Sequence, residues 1–166
     1  DDQVSSNPRF LLEPVKEIVS TCRRHSKAKI IIGGAGYSIF PLQALDYLGV
    51  DMGVQGEGEE SFTMLLNKLE ANGDLSKIPG LICISCGITN PPERVTNLDS
   101  FVLPQADRFI WPMERSDEII WLPFQTRRGC PMNCSYCSTA TIEGKIIRKR
   151  QIDQVIESMA GFVSAG

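Results

Sequence analysis

Cys130, Cys134 and Cys137 stand at C-x3-C-x2-C within Arg127-Arg128-Gly129-Cys130-Pro131-Met132-Asn133-Cys134-Ser135-Tyr136-Cys137. Three thiolates this close in sequence can face one metal centre, yet they are one donor short of a closed tetrahedral set. The shortfall points to an open, reactive coordination position. A structural zinc would need a recruited donor, and the candidates are Cys22, Cys83, Cys86 and the one histidine, His25. Cys83 and Cys86 are three apart on an expected strand, so their side chains should project to opposite faces and read as core cysteines. Cys22 fits a buried helix face, and His25, beside Arg23, Arg24 and Lys27, fits an exposed helix end.

Two glycine-rich turns are the other candidates for chemistry. Gly33-Gly34-Ala35-Gly36 ends one β-branched run, and Gly56-Glu57-Gly58-Glu59-Glu60 ends another. Glycine at such turns admits positive φ and lets a ligand come close to the backbone; an ordinary strand-to-helix turn uses it equally well. Gly34-x-Gly36 is a weak dinucleotide fingerprint, because position 39 is Ile39.

The elements that must position these residues follow from periodicity. Leu12, Val15, Val19 and Cys22 predict a helix over 13–25, with Pro14 in its first turn. Lys29-Ile30-Ile31-Ile32 is a strand, and Pro41, Leu42, Leu45 and Leu48 outline a helix closed by Gly49. Residues 50–55 form the next strand, and Phe62, Leu65, Leu66 and Leu69 the face of a helix ending near Gly73. This α-β-α-β-α order predicts parallel strands with crossover helices. A strand over 81–86 should turn at Gly87 and pair with 94–96. Pro104, Pro112 and Pro123 mark a linker, residues 119–126 a strand entering the cysteine loop, and Ile146-Ile147 an extended piece. Ile152, Val155, Ile156, Met159 and Phe162 predict a last amphipathic helix.

Bulk properties agree with a folded, water-facing protein. The 166 residues are 42% hydrophobic and 22% charged, with a net charge of −3. No run reaches the roughly 18 to 20 apolar residues of a membrane span, and the first residues lack a signal peptide's pattern, so the cytoplasm is the expected compartment. Six cysteines without an export signal favour metal binding over a disulfide scaffold. Arg127, Arg128, Lys145, Arg148, Lys149 and Arg150 against Glu143 form a local basic excess, which would suit an anionic ligand or simply a solvated rim.

The cysteine signature, with Tyr136 before the last cysteine and Arg128-Gly129 before the first, resembles that of the radical S-adenosylmethionine enzymes. The preceding hundred or so residues are similar to the cobalamin-binding domain found upstream of the barrel in a subgroup of them. The resemblance implies that Cys130, Cys134 and Cys137 bind three irons of a four-iron, four-sulfur cluster. It places S-adenosylmethionine on the fourth iron with Tyr136 beside it, and cleavage of that molecule would yield a 5′-deoxyadenosyl radical. It implies cobalamin over Gly33, Gly34, Gly36, Gly56, Glu57, Gly58 and Glu59.

The expected fold class is α/β. Residues 1–96 would be the C-terminal part of a cobalamin-binding, Rossmann-like parallel sheet with flanking helices, 97–118 a linker, and 119–166 the first β-α unit of a truncated TIM-type barrel. The sequence is expected to be a piece of a larger enzyme, without activity of its own and with exposed strand edges able to pair between chains. The parent would methylate, cyclise or rearrange a small-molecule substrate, using an electron donor such as flavodoxin or ferredoxin; neither membrane nor nucleic acid is the expected partner. A tRNA methylthiotransferase-like enzyme, with Cys22, Cys83 and Cys86 holding a second cluster, is the alternative. A zinc-stabilised interaction module is the non-enzymatic one.

Overall fold

The computed structural model describes residues 10–103, 105 and 124–165. Two compact units divide the chain, Asp1–Arg94 and Val95–Gly166.

In the first unit, helix α1 (Leu12–His25) carries Glu13 in its first turn and Arg23, Arg24 and His25 in its last, matching its dipole. Strand β1 (Ile31–Gly33) leads into a short helix α2 (Ala35–Ile39), which the periodicity does not reveal. Helix α3 (Pro41–Leu48) starts on a proline and stops at Gly49, whose φ is 62°. Strand β2 (Met52–Val54), helix α4 (Gly58–Glu70) and strands β3 (Leu81–Cys83) and β4 (Ile88–Thr89) complete the unit.

The sheet order is β1-β2-β3-β4. Only β1 and β2 are parallel, with Ile31 opposite Met52 and Gly33 opposite Val54. β3 runs antiparallel to β2, and β4 antiparallel to β3. The parallel expectation thus holds for the first pair and fails beyond it. After α4 the chain turns at Asp74, whose carboxylate accepts from the Ser76 N–H and hydroxyl. It then enters β3 beside the carboxyl end of β2, where the Gln55 N–H donates to the Gly80 carbonyl. That bond fixes the reversed direction.

The expected strand over 81–86 ends early, at Cys83. Asp51 is the reason: its carboxylate accepts from the Ser85 N–H at 2.7 Å and from the Ser85 hydroxyl, while its carbonyl accepts from the Ile84 N–H. These bonds bend residues 84–87 into a turn and bring Cys86 back to Cys83, with which it forms a disulfide (Cα–Cα 5.3 Å). Cys83 and Cys86 therefore do not project to opposite faces, and β3 pairs with Ile88 and Thr89 rather than with 94–96.

The two sheet faces have separate cores. Val19, Tyr37, Ala44, Leu45, Leu48, Val50 and Ile82 pack on one side, and Met52, Val54, Leu65, Ile78, Leu81 and Cys83 on the other. Against the first core, Tyr47 is gripped on its edge by Phe10 and on its face by the Lys16 ammonium, and its hydroxyl donates to Glu13.

In the second unit, a 3-10 turn (Leu98–Ser100) is capped by Asn97, whose side chain accepts from the Asp99 N–H. Two short strands, β5 (Arg127–Arg128) and β6 (Arg148–Lys149), pair antiparallel around the cysteine loop and helix α5 (Thr139–Glu143), and helix α6 (Ile152–Ala165) follows. The expected strand over 119–126 lies mostly outside the described residues, as does most of the 97–118 linker. The extended piece falls at Arg148–Lys149, two residues past Ile146-Ile147.

Tyr37 is 7% exposed, its hydroxyl has no hydrogen-bond partner, and burial pushes its pKa up to about 12. An unmade hydrogen bond in such a place costs about 1–3 kcal/mol. Tyr37→Phe should therefore raise the urea midpoint of the chain or leave it unchanged, whereas an ordinary core truncation lowers it.

Candidate cofactor edge and cluster loop

The glycine turns lie at the carboxyl ends of adjacent parallel strands, Gly33–Gly36 after β1 and Gly56–Glu59 after β2. In open α/β sheets this is the edge that receives ligands. Gly34 sits at φ 96°, a conformation side chains resist, and a Cβ there would meet nothing within 4 Å. The backbone therefore faces open space, as a cradle should.

Ser38 holds the two turns together. It is 2% exposed; its hydroxyl donates to the Gly34 carbonyl at 2.8 Å and accepts the Gly56 N–H at 2.9 Å. Its carbonyl also accepts from the Gln55 side-chain amide at 3.0 Å. Sequence reasoning missed Ser38, although a serine four residues beyond Gly34 on a helical first turn is placed to bond back to that carbonyl.

The cysteine loop starts from a backbone crossing. Gly129 has φ 90°, and a Cβ on it would stand 2.0 Å from the Ile146 carbonyl oxygen. The Gly129 N–H donates to one Glu143 carboxylate oxygen at 2.9 Å, and the Gln125 amide donates to the other at 3.0 Å. Arg128 in turn donates to the Gln125 carbonyl oxygen at 2.8 Å, and the Cys130 N–H donates to Gly144 at 2.9 Å. Glu143, noted in the sequence only as a lone acid among bases, thus anchors the start of the loop.

Cys130 and Cys134 are half-buried and Cys137 is exposed, all three as free thiols. The Cys137 N–H donates to Cys134 at 3.2 Å, closing the loop's last turn. Cys137 Sγ lies 3.2 Å from the Thr139 hydroxyl. The thiol donates to that hydroxyl here, and once ionised it can accept from the same hydroxyl and from the Thr139 N–H, which holds Cys137 below the usual thiol range. Tyr136 is 90% exposed. Among the described residues no trio of His, Cys, Asp or Glu side chains is already gathered for a metal ion.

Cys22 is exposed on α1 rather than buried, and Cys83 and Cys86 are bonded to each other. The ligands nominated for a second cluster are thus not free as a set. The basic excess is also less free than its count suggests. Arg148 donates to the Val95 and Glu143 carbonyls, and Arg150 to those of Leu98 and Phe101.

No protein-family model matches the sequence. An uncharacterized methyltransferase of Pyrococcus horikoshii is 30% identical over 135 residues, 79% of this chain and 29% of that protein. The hopanoid C-3 methylase of Methylococcus capsulatus is 30% identical over 141 residues, 81% of this chain and 27% of the relative. A solved structure of TsrM from Kitasatospora setae, a radical S-adenosylmethionine methyltransferase with tryptophan and a cofactor analogue bound, superposes with a TM-score of 0.70. It is 23% identical, and the match covers 94% of this chain and 31% of TsrM. Another structure of TsrM holds cobalamin and a [4Fe-4S] cluster. The chain thus shares the fold of a radical S-adenosylmethionine methyltransferase and, over about four-fifths of its length, resembles proteins named as a methyltransferase and a methylase.

The chain spans under a third of the length of the two relatives. Within that span it carries both elements on which the resemblance to this radical S-adenosylmethionine family rests. For a cluster, the donor chemistry fits: three free thiols on a loop anchored at Gly129 and closed at Cys137. For a corrin, the fit is the open backbone at Gly34 beside the Ser38 clamp.

Removing the clamp with Ser38→Ala strands the Gly56 N–H and should cost about 1–3 kcal/mol, read as a lower urea midpoint. Gly129→Ala forces a collision with the Ile146 carbonyl. Reconstituted with iron and sulfide without oxygen, that variant should hold well under half the wild-type iron; Glu143→Ala, which leaves the Gly129 N–H unpaired, should fall between the two.

Proposed function

We propose that this chain carries the cofactor-binding region of a cobalamin-dependent radical S-adenosylmethionine methyltransferase. Residues 1–96 would be the C-terminal part of the cobalamin-binding domain, 97–118 a connection, and 119–166 the start of the cluster-binding barrel. The observation that carries the reading is the anchored loop with three free thiols. It is supported by relatives named as methyltransferases or methylases.

In this reading Cys130, Cys134 and Cys137 hold the cluster, and the site left without a protein donor accepts S-adenosylmethionine, with Tyr136 against it. The cluster when bound supplies one electron to the sulfonium of that molecule. The chain's own residues do the positioning: Glu143 and Gly129 fix where Cys130 begins, and Thr139 favours the thiolate of Cys137 that a metal requires. Gly33, Gly34, Gly36 and Gly56 to Glu59 would border the corrin and its tail, with Ser38 setting the distance between the two turns. The substrate is a small organic molecule, the electron donor a flavodoxin or ferredoxin, and the compartment the cytoplasm. No helix among the described residues is long and apolar enough to cross a membrane.

The test uses the whole protein, reconstituted without oxygen. About four irons and four sulfides per chain are expected, with release of 5′-deoxyadenosine or S-adenosylhomocysteine on reduction in the presence of S-adenosylmethionine. Cys134→Ala should reduce iron to background without lowering the urea midpoint. One tightly held zinc and no sulfide would replace this reading with the zinc module.

A further inference from the structure

The Cys83–Cys86 bridge lies away from the proposed cofactor edge. In the β2–β3 ladder Leu81 stands opposite Val54, which leads into the Gly56 turn, whereas Cys83 stands opposite Met52, at the other end of the strand. Its two sulfurs have unlike surroundings. Cys83 is 0% exposed, packed with Met52, Leu65 and Leu81, while Cys86 is exposed on the turn. A carboxylate faces the buried one: Asp51 Oδ2 is 3.7 Å from Cys83 Sγ. That carboxylate is held in place by the Ser85 N–H and hydroxyl, and those bonds, with the charge of Lys29, keep Asp51 below the usual carboxylate range and so anionic.

We propose that Cys83 and Cys86 form a reversible thiol–disulfide exchange site for low-molecular-weight thiols, with Cys86 as the sulfur that is attacked and Cys83 as the buried resolving sulfur. An incoming thiolate bonds to Cys86 Sγ, the Cys83–Cys86 bond breaks, and Cys83 departs with the electron pair and takes a proton from solvent. A second thiol then attacks the mixed disulfide, forming the small-molecule disulfide and releasing Cys86 as a thiol. The net change is one protein disulfide and two thiols giving two protein thiols and one small disulfide. The reverse direction consumes a disulfide such as oxidised glutathione.

Two features support this assignment over a purely structural bridge, and a third sets its rate. Attack requires an accessible sulfur, and Cys86 supplies one. Resolution requires a second thiol within reach, and the Asp51-held turn keeps Cys83 there. The Asp51 charge disfavours a thiolate on Cys83, which makes it a slow leaving group and tunes the rate. A reduced Cys83 thiol is also placed to donate to Asp51.

The experiment treats the whole protein with dithiothreitol, then with oxidised glutathione, with alkylation and peptide mass analysis of residues 78–93 at each step. Reduction should add two alkyl groups to that peptide, and oxidised glutathione should remove both. Cys83→Ser should accumulate glutathione on Cys86, whereas folded Cys86→Ser should leave Cys83 unmodified. Asp51→Asn should speed reduction by about threefold, because it removes the negative charge 3.7 Å from the departing Cys83 sulfur. The wild-type mass series stands even if a variant fails to fold. A pair that stays reduced in oxidised glutathione, or glutathione found on Cys83 rather than Cys86, overturns the proposal. These readouts need no iron, cobalamin or S-adenosylmethionine, so their failure leaves the proposed enzyme function untouched.

Discussion

The cysteine loop depends on one close crossing of backbone over backbone. At Gly129 the chain passes the Ile146 carbonyl with no room for even a methyl group. That approach lets the Gly129 N–H reach Glu143 and the Cys130 N–H reach Gly144, so the first cysteine leaves a fixed point. A bulkier residue would lift the strand end away and strip the Glu143 carboxylate of its backbone donor. An unpaired, partly buried donor is costly, so geometry and energy push the same way.

The glycine edge of the first unit repeats this logic with other residues. Ser38 does for the two turns what Glu143 does for the loop: a single oxygen-bearing side chain satisfies the backbone polar groups that the turns leave over. In neither place does the anchoring residue need to touch a ligand. The glycines free the backbone to approach one, and the polar anchor removes the freedom that glycine would otherwise bring.

The sequence made legible the elements whose signals are local. Helices α1, α3 and α4 fall where apolar spacing, Pro41 and Gly49 place them, because each buries one stripe on the sheet. The cysteine triplet stands out by type and spacing alone. The misses are matters of tertiary pairing. The reversal of β3 rests on a bond between Gln55 and Gly80, and its early end on Asp51 capturing Ser85; neither contact leaves a periodic trace. The alternation rule for Cys83 and Cys86 failed for the same reason, since it applies only while the strand continues. Ser38 and Glu143 escaped notice because a lone serine or glutamate has no pattern until its partners are known.

Arg148 and Arg150 bracket β6, and each aims its guanidinium at main-chain oxygens in the 95–101 segment. A guanidinium keeps its proton across all conditions a protein survives, and its fork can serve two carbonyls at once. The tether between the loop's return strand and that segment therefore ends on main-chain oxygens, which no side-chain substitution in the segment can remove. A lysine in either place would keep the charge and lose the fork, leaving one of each pair of oxygens dry.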